Sequence, residues 1–118
     1  MVTKRSIVQD MAIKFALEII SLYKFLVKEK EFVISKQLLK SGTSIGANIS
    51  EALAGQSRKD FIAKMSISSK EARETKYWLF LLQESQLVKY DFTKEIAACD
   101  EIVRLLTAIV KTSQSTQN

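Results

Sequence analysis

The residues whose types and spacing most clearly suggest binding chemistry are basic side chains in two stretches of the chain. Lys36 and Lys40 lie four residues apart, and further cations follow between residues 58 and 76. The candidate nucleic-acid contacts in full are Lys36, Lys40, Arg58, Lys59, Lys70, Arg73 and Lys76. The last three recur at a three-residue spacing, so a helix would present them as one strip of positive charge to a phosphate backbone. No aromatic residue interrupts this strip, which disfavours recognition by base stacking.

The same cations also have an ordinary interpretation. With Lys64, the stretch from residue 58 to residue 76 carries six cations, and the acids within it are Asp60, Glu71 and Glu74. On a solvated helix face such lysines pair with carboxylates one turn away and contribute little stability. The sequence therefore leaves both interpretations open, a phosphate-binding strip and a solvated face.

A second candidate site is the polar group formed by Ser44, Asn48 and Glu51. These residues follow one another at spacings of four and three, which places them on one side of a helix. Asn48 lies between Ile45 and Ile49, and an amide that is partly buried must find hydrogen-bond partners. We therefore interpret the group as a hydrogen-bonded cluster, within one subunit or between subunits, that fixes register; catalysis is the less favoured alternative.

Composition excludes most enzymatic chemistry for a chain of this size. The 118 residues contain no histidine and one cysteine, so a Ser-His or Cys-His pair, an imidazole metal ligand and an internal disulfide are all excluded. We expect a protein that is not an enzyme and uses no cofactor or metal, with Cys99 as a small packing residue.

A net charge of +5 suits nucleic acid, acidic proteins or anionic lipid equally. Neither a signal peptide nor a membrane span is predicted, so we expect a cytoplasmic protein with no membrane partner.

The elements that position these residues are predicted to be four helices in one domain covering residues 1–118. The chain has no proline, and apolar residues recur at spacings of three and four. In the first segment one face carries Ile7, Met11, Phe15, Ile19, Leu22 and Leu26. The predicted segments run from Ser6 to Lys28, from an N-cap at Ser35 to Gly55, from Ser57 to Glu84, and from Asp91 or Thr93 to Lys111, with a frayed tail at 112–118. Short connections between them favour an all-α, antiparallel up-and-down four-helix bundle.

The predicted helices carry more apolar surface than one bundle can bury. Residues 77 to 82 are all apolar or aromatic, so their side chains point all the way round the third helix. Exposed apolar patches commonly mark interfaces, and we therefore expect a homo-oligomer in which Tyr77, Trp78 and Phe80 contribute to the contact. The alternative for Trp78 and Phe80 is that they fill the wide end of the bundle core.

A sequence signature in the middle of the chain resembles that of a known bacterial family. It consists of Gln37, Lys40-Ser41, Ser44-Ile45, Asn48-Ile49, Glu51 and Asp60-Phe61. The family is the four-helix bundle family named after the 23S rRNA intervening sequence, sometimes labelled S23 ribosomal protein, and the resemblance covers most of the chain. This chain departs from the family's pattern at Gly46, where the family usually has proline, and at Ala52, where it usually has glycine.

The resemblance implies an antiparallel bundle that assembles into a homopentameric ring. It also implies similarity to the accessory proteins of diversity-generating retroelements, which bind reverse transcriptase and nucleic acid. No catalytic residues are known for the family, so none are transferred. Two functions remain open: a ring that binds RNA, DNA or a nucleic-acid enzyme through its basic helix face, and an oligomeric scaffold or adaptor for another protein.

Overall fold

Four helices account for most of the computed structural model, which describes residues 4–115. They are α1 (Lys4–Lys28), α2 (Ile34–Ala54), α3 (Arg58–Ser85) and α4 (Thr93–Ser115). Because no strand occurs between residues 4 and 115, the predicted all-α class is confirmed. The helix boundaries also agree with the sequence prediction to within a few residues.

The helices pack side by side as a four-helix bundle measuring 48 × 23 × 22 Å. Each helix contacts the next along the chain, and α4 closes the bundle against α1 through the least extensive of the four contacts. No Cα atom of α1 lies within 8 Å of a Cα atom of α3 in the described chain, so these two helices lie on a diagonal of the bundle. Their outer faces therefore belong to different sides of the protomer.

The core follows the helical periodicity of α1 with one exception. Phe15, Ile19 and Leu26 are buried, as their spacing predicts. Ile7, expected on the same face, is instead exposed, and Val8 takes the core position. At about 100° per residue Val8 is nearly in phase with Phe15, whereas Ile7 is rotated away from it.

The helix starts are stabilised by side chains, not always the expected ones. Ser57 accepts a hydrogen bond from the Asp60 backbone N–H at 3.0 Å, which confirms it as the N-cap of α3. Ser35 is not the cap of α2. The Glu31 carboxylate instead accepts from the backbone N–H groups of Val33, Ile34 and Ser35 at 2.9, 3.1 and 2.6 Å. The buried Ser35 hydroxyl donates back to the Glu31 carbonyl.

The C-terminal end of α4 extends further than the sequence predicts. The polar residues after Lys111 were expected to fray, but α4 continues through Ser115. The Ser115 hydroxyl donates to the Lys111 carbonyl at 3.1 Å, which is a contact within that last turn. Residues 116–118 of the expected tail lie outside the described residues.

Helix α2 stays helical through its glycine- and serine-rich middle because small residues let its neighbours approach closely. A Cβ atom on Gly42 would lie 2.9 Å from Cγ2 of the buried Ile19 of α1, so Gly42 leaves no room for a side chain. On the α3 side, the Ser68 hydroxyl donates to the Ile45 carbonyl at 2.8 Å, and the hydroxyls of Thr75 and Ser41 are 2.9 Å apart. These contacts offset the poor helix propensity of this stretch.

Alanine substitutions at the two glycines of α2 are expected to have opposite effects. Gly42→Ala forces a Cβ against Ile19, and overpacking of about 1–3 kcal/mol outweighs the gain in helix propensity of about 1 kcal/mol. The free energy of unfolding should therefore fall. A Cβ on Gly46 would meet Ala12 at an ordinary 3.6 Å, so Gly46→Ala should raise it by about 1 kcal/mol. Urea unfolding measures both values; a gain for both variants would contradict the close contact at Gly42.

Candidate nucleic-acid interface and apolar faces

The exposed cations Lys36, Lys40 and Lys70 lie along the neighbouring helices α2 and α3, and we call these three residues the basic patch. No salt bridge within the described chain engages any of them. Glu71 lies near Lys40 and Lys70, which both act to lower its pKa. Burial of the Glu71 carboxyl and the nearby Glu74 outweigh them, so the pKa of Glu71 is raised. Glu71 is therefore the carboxylate that faces Lys40 and Lys70, and it forms no salt bridge with either in the described chain.

The other two cations of the predicted strip, Arg73 and Lys76, bond to side chains of α4. Arg73 donates to the Thr107 hydroxyl at 3.2 Å, and the Lys76 ammonium lies 2.6 Å from the Asp100 carboxylate. Asp100 also forms a salt bridge with Arg104 one turn along α4. The hydrogen bond from Lys76 is the main reason that the pKa of Asp100 is lowered. Lys70, Arg73 and Lys76 therefore do not act as three equivalent cations.

Arg58 and Lys59 lie at the other end of α3. Twelve residues separate Arg58 from Lys70, which is about 18 Å along the helix axis. Arg58 lines an open cavity of about 720 Å³ at this end of the bundle. Apolar side chains of α1, α3 and α4 form much of its wall, among them Ile7, Phe61 and Ile109. The structure does not bring this basic pair together with the basic patch.

The polar group of α2 does not form a side-chain cluster within the protomer. The Ser44 hydroxyl donates to the Lys40 carbonyl at 2.7 Å, and the Asn48 amide donates to the Ser44 carbonyl at 2.8 Å. Glu51 forms a 2.8 Å salt bridge with Lys64 of α3. Each side chain thus bonds to a separate partner within one chain, and contacts of this group between subunits stay a prediction.

The aromatic run of α3 divides between core and surface. Tyr77 and Phe80 are 54% and 53% exposed, whereas Leu79 and Leu82 are fully buried. Trp78 is half-buried against the core, and its indole N–H donates to the Glu74 carboxylate at 3.1 Å. The Tyr77 and Trp78 rings meet edge to face with centroids 5.2 Å apart. The alternative that core packing accounts for Phe80 is therefore wrong, whereas it holds in part for Trp78. A contribution of the exposed aromatic residues to a contact between copies stays a prediction.

Helix α1 exposes an apolar stripe that its core periodicity does not predict. Ile13, Leu17 and Ile20 are exposed and follow one another at spacings of four and three. At about 100° per residue they lie opposite the buried face formed by Phe15, Ile19 and Leu22. We call these three residues the α1 stripe. In the sequence the stripe corresponds to a second set of apolar residues at helical spacing, on the side of the helix opposite the core residues. The longer series of core residues makes this second set hard to recognise.

Metal ligands, membrane spans and the single cysteine are the remaining features of the described residues that bear on function. No three Cys, Asp or Glu side chains among them are grouped so that they could hold a metal ion. No described helix is long and apolar enough to cross a membrane. Cys99 is fully buried, and its thiol donates to the Ala72 carbonyl across the α3–α4 contact at 3.3 Å. Burial is the main cause that raises the pKa of Cys99 to about 12.

Comparison with known proteins identifies a family and similar solved structures. The family model described as 23S rRNA-intervening sequence protein matches residues 4–108. A crystal structure from Bacteroides thetaiotaomicron, described as a protein with unknown function from the S23 ribosomal protein family, is 50% identical with a TM-score of 0.87. The match covers 92% of this chain and 99% of that one. The comparison with curated proteins found no match.

The burial of Cys99 predicts that its thiol is unreactive in the folded protein. A pKa near 12, raised from a usual value of 9.0, lowers the thiolate fraction at pH 8 roughly 1000-fold, and packing blocks access as well. Labelling by a disulfide reagent such as DTNB should be slow in buffer and complete in urea, where the same single thiol serves as the control. Fast, stoichiometric labelling of the native protein at pH 8 would show that α3 and α4 do not seal this position.

Proposed function

This chain belongs to the 23S rRNA-intervening sequence protein family, and from that premise we propose that it is a non-enzymatic, cytoplasmic protein that assembles into a ring of five copies. In this proposal the ring binds RNA, DNA or an enzyme that acts on nucleic acid, such as a reverse transcriptase. The basic patch forms the contact.

The observation that carries the proposal is the pair of apolar faces on diagonal helices. The α1 stripe includes Leu17, which is 60% exposed, and the outer part of α3 carries Tyr77 and Phe80. When one face of a copy contacts a different face of the next copy, the copies form a closed ring if the repeated rotation leads back to the first copy. Such a contact requires two separate apolar faces on one protomer. In the ring both faces are buried, whereas a monomer would leave them exposed to water.

The basic patch supports nucleic acid as the ligand of the ring. Its cations are exposed on α2 and α3 and free of salt bridges within the described chain, so their charge is available to phosphate. Each copy offers only a few cations, but a ring repeats them, and linked weak contacts strengthen one another. This arrangement favours sequence-independent binding to the phosphate backbone.

A scaffold or adaptor for another protein is the second candidate. It is favoured by the pairing of Lys76 with Asp100 and of Lys64 with Glu51, which removes part of the positive charge that the sequence offers. In this version the basic patch contributes to solubility and the ring holds a protein partner. Loss of nucleic-acid binding on neutralising the patch separates the first candidate from the second.

A charge in the α1 stripe is expected to break the ring. Leu17→Lys would place an ammonium in the contact between copies, where it loses its hydration without gaining a partner. The variant should fold normally, because Leu17 is 60% exposed in the protomer. Leu87→Lys is the matched control, since Leu87 is 63% exposed but lies in the turn before α4. Light scattering after size exclusion should give a mass near 13.4 kDa for Leu17→Lys and an oligomer for the control. An unchanged mass for Leu17→Lys would remove the α1 stripe from the interface.

Neutralising the basic patch is expected to weaken nucleic-acid binding and its dependence on salt. The triple variant Lys36→Gln, Lys40→Gln and Lys70→Gln should lose about tenfold or more in affinity for labelled duplex DNA and structured RNA at low salt. The slope of log affinity against log salt should fall by about 0.9 for each lost contact to duplex DNA.

The matched control for this variant removes the same charge elsewhere. Lys28→Gln, Lys89→Gln and Lys111→Gln change three exposed lysines outside the patch, and they should leave affinity and slope nearly unchanged. Equal losses in the two triple variants would mean that net charge, and not the patch, governs binding. No association of the wild-type chain at micromolar concentration would favour the adaptor instead.

A further inference from the structure

An open cavity of about 720 Å³ lies at the end of the bundle where α1 and α3 begin and where α2 and α4 end. We call it the end cavity. All four helices contribute to its wall, from Ile7 of α1 to Ser113 of α4. Its volume is within the range of about 300–1,000 Å³ that is usual for sites that bind small molecules. The end cavity shares no described residue with the basic patch, the α1 stripe or the exposed aromatic residues of α3.

Much of the wall of the end cavity consists of apolar side chains that the bundle does not fully bury. Ile7 is 46% exposed. Phe61, Leu105 and Ile109 pack against the core but stay only partly buried. Leu105 and Ile109 are one turn apart on α4, so they form a continuous apolar surface along that helix. An aliphatic chain in the cavity would remove this surface from water, which favours its binding.

The charge on the wall of the end cavity favours an anion. Arg58, in the first turn of α3, is the one charged residue among the described residues that line the cavity. Asp60, the acid nearest to Arg58 in the sequence, does not line it. Glu51, near the end of α2, is paired with Lys64. The positive end of the α3 dipole lies at the same place and adds to the attraction for negative charge.

Arg58 and Ser57 offer the hydrogen bonds that a carboxylate accepts. A guanidinium carries five N–H donors in a planar fork, and the fork matches the two oxygens of a carboxylate. With five donors, Arg58 can bind a carboxylate while it keeps its other interactions. The Ser57 hydroxyl, which lines the same cavity, accepts from the Asp60 backbone N–H at 3.0 Å, and its own proton is left to donate.

We propose that the end cavity binds a fatty-acid-like ligand, which is a single aliphatic chain that ends in a carboxylate. The chain lies against Phe61, Leu105 and Ile109, and the carboxylate bonds to the exposed Arg58. Apolar contact does not distinguish one aliphatic chain from another. The charge of Arg58 therefore selects the acid over a cationic chain of the same length. The site depends neither on the proposed ring nor on nucleic-acid binding.

Titration calorimetry with decanoate, below the concentration at which it forms micelles, tests the proposal on the full chain. The wild type should bind decanoate saturably. Acetate has the carboxylate without the chain and should not bind. Decyltrimethylammonium has the chain with the opposite charge and should bind about tenfold more weakly or less. Equal binding of the two long-chain ions, or no binding of decanoate at submillimolar concentration, would overturn the proposal.

Removing the charge of Arg58 separates the carboxylate contact from general attraction to a basic protein. Arg58→Gln should weaken decanoate binding by about tenfold or more, and Arg58→Lys should restore part of the affinity. Lys59→Gln is the matched control, because Lys59 is exposed, carries the same charge one residue further along α3 and does not line the cavity. Equal losses in Arg58→Gln and Lys59→Gln would contradict a specific contact with Arg58.

Filling the end cavity tests where the aliphatic chain lies, and it keeps the test valid if Arg58→Gln unfolds. Ala108 of α4 is exposed and lines the cavity, so Ala108→Trp should keep the fold and abolish decanoate binding by occupying the space. Ala97→Trp, at an exposed position of α4 outside the cavity, is the control and should bind as the wild type does. Unchanged binding by Ala108→Trp, or a change in oligomer mass when decanoate binds, would place the ligand on another apolar face and would overturn the proposal.

Discussion

The close packing of α2 against its two neighbours is the interaction on which the rest of the structure depends. Gly42 brings the α2 backbone against Ile19 of α1, and hydroxyl contacts from Ser68 and Thr75 join it to α3. With α2 between them, α1 and α3 lie on a diagonal, and their Cα atoms in the described chain stay more than 8 Å apart. The outer surfaces of these two helices consequently become separate faces, and both carry apolar side chains that the protomer does not bury.

The same arrangement decides which cations stay available. Where α3 meets α4, Lys76 forms a salt bridge with Asp100, and Arg73 donates a hydrogen bond to Thr107. Along α2 and α3, Lys36, Lys40 and Lys70 have no such partner in the described chain. The cations of the predicted strip are thus divided between a part that bonds to α4 and a part that keeps its charge free of salt bridges in the described chain. Exposed salt bridges contribute little to stability, so their greater effect here is on where the remaining charge can attract phosphate.

The sequence predicted the fold well and the surface chemistry poorly, and the difference has a physical reason. Helical periodicity and the cap at Ser57 are local properties, so they can be recognised in the order of residues. The cap of α2 was missed because the Glu31 side chain reaches it from outside the helix, a geometry that the Ser35 pattern did not indicate. The pairing of Lys76 with Asp100 joins residues 24 positions apart, and the hydrogen bond from Arg73 to Thr107 joins residues 34 positions apart. Neither has a local signature.

The central claim is that one protomer is an incomplete unit whose two apolar faces are covered by other copies of itself. Native mass spectrometry of the unmodified full chain, diluted from micromolar concentration, tests this most directly. The account predicts a dominant species at five times the 13.4 kDa chain mass. A spectrum of single chains at every concentration would contradict it, because α1 and α3 would then expose their apolar faces to water.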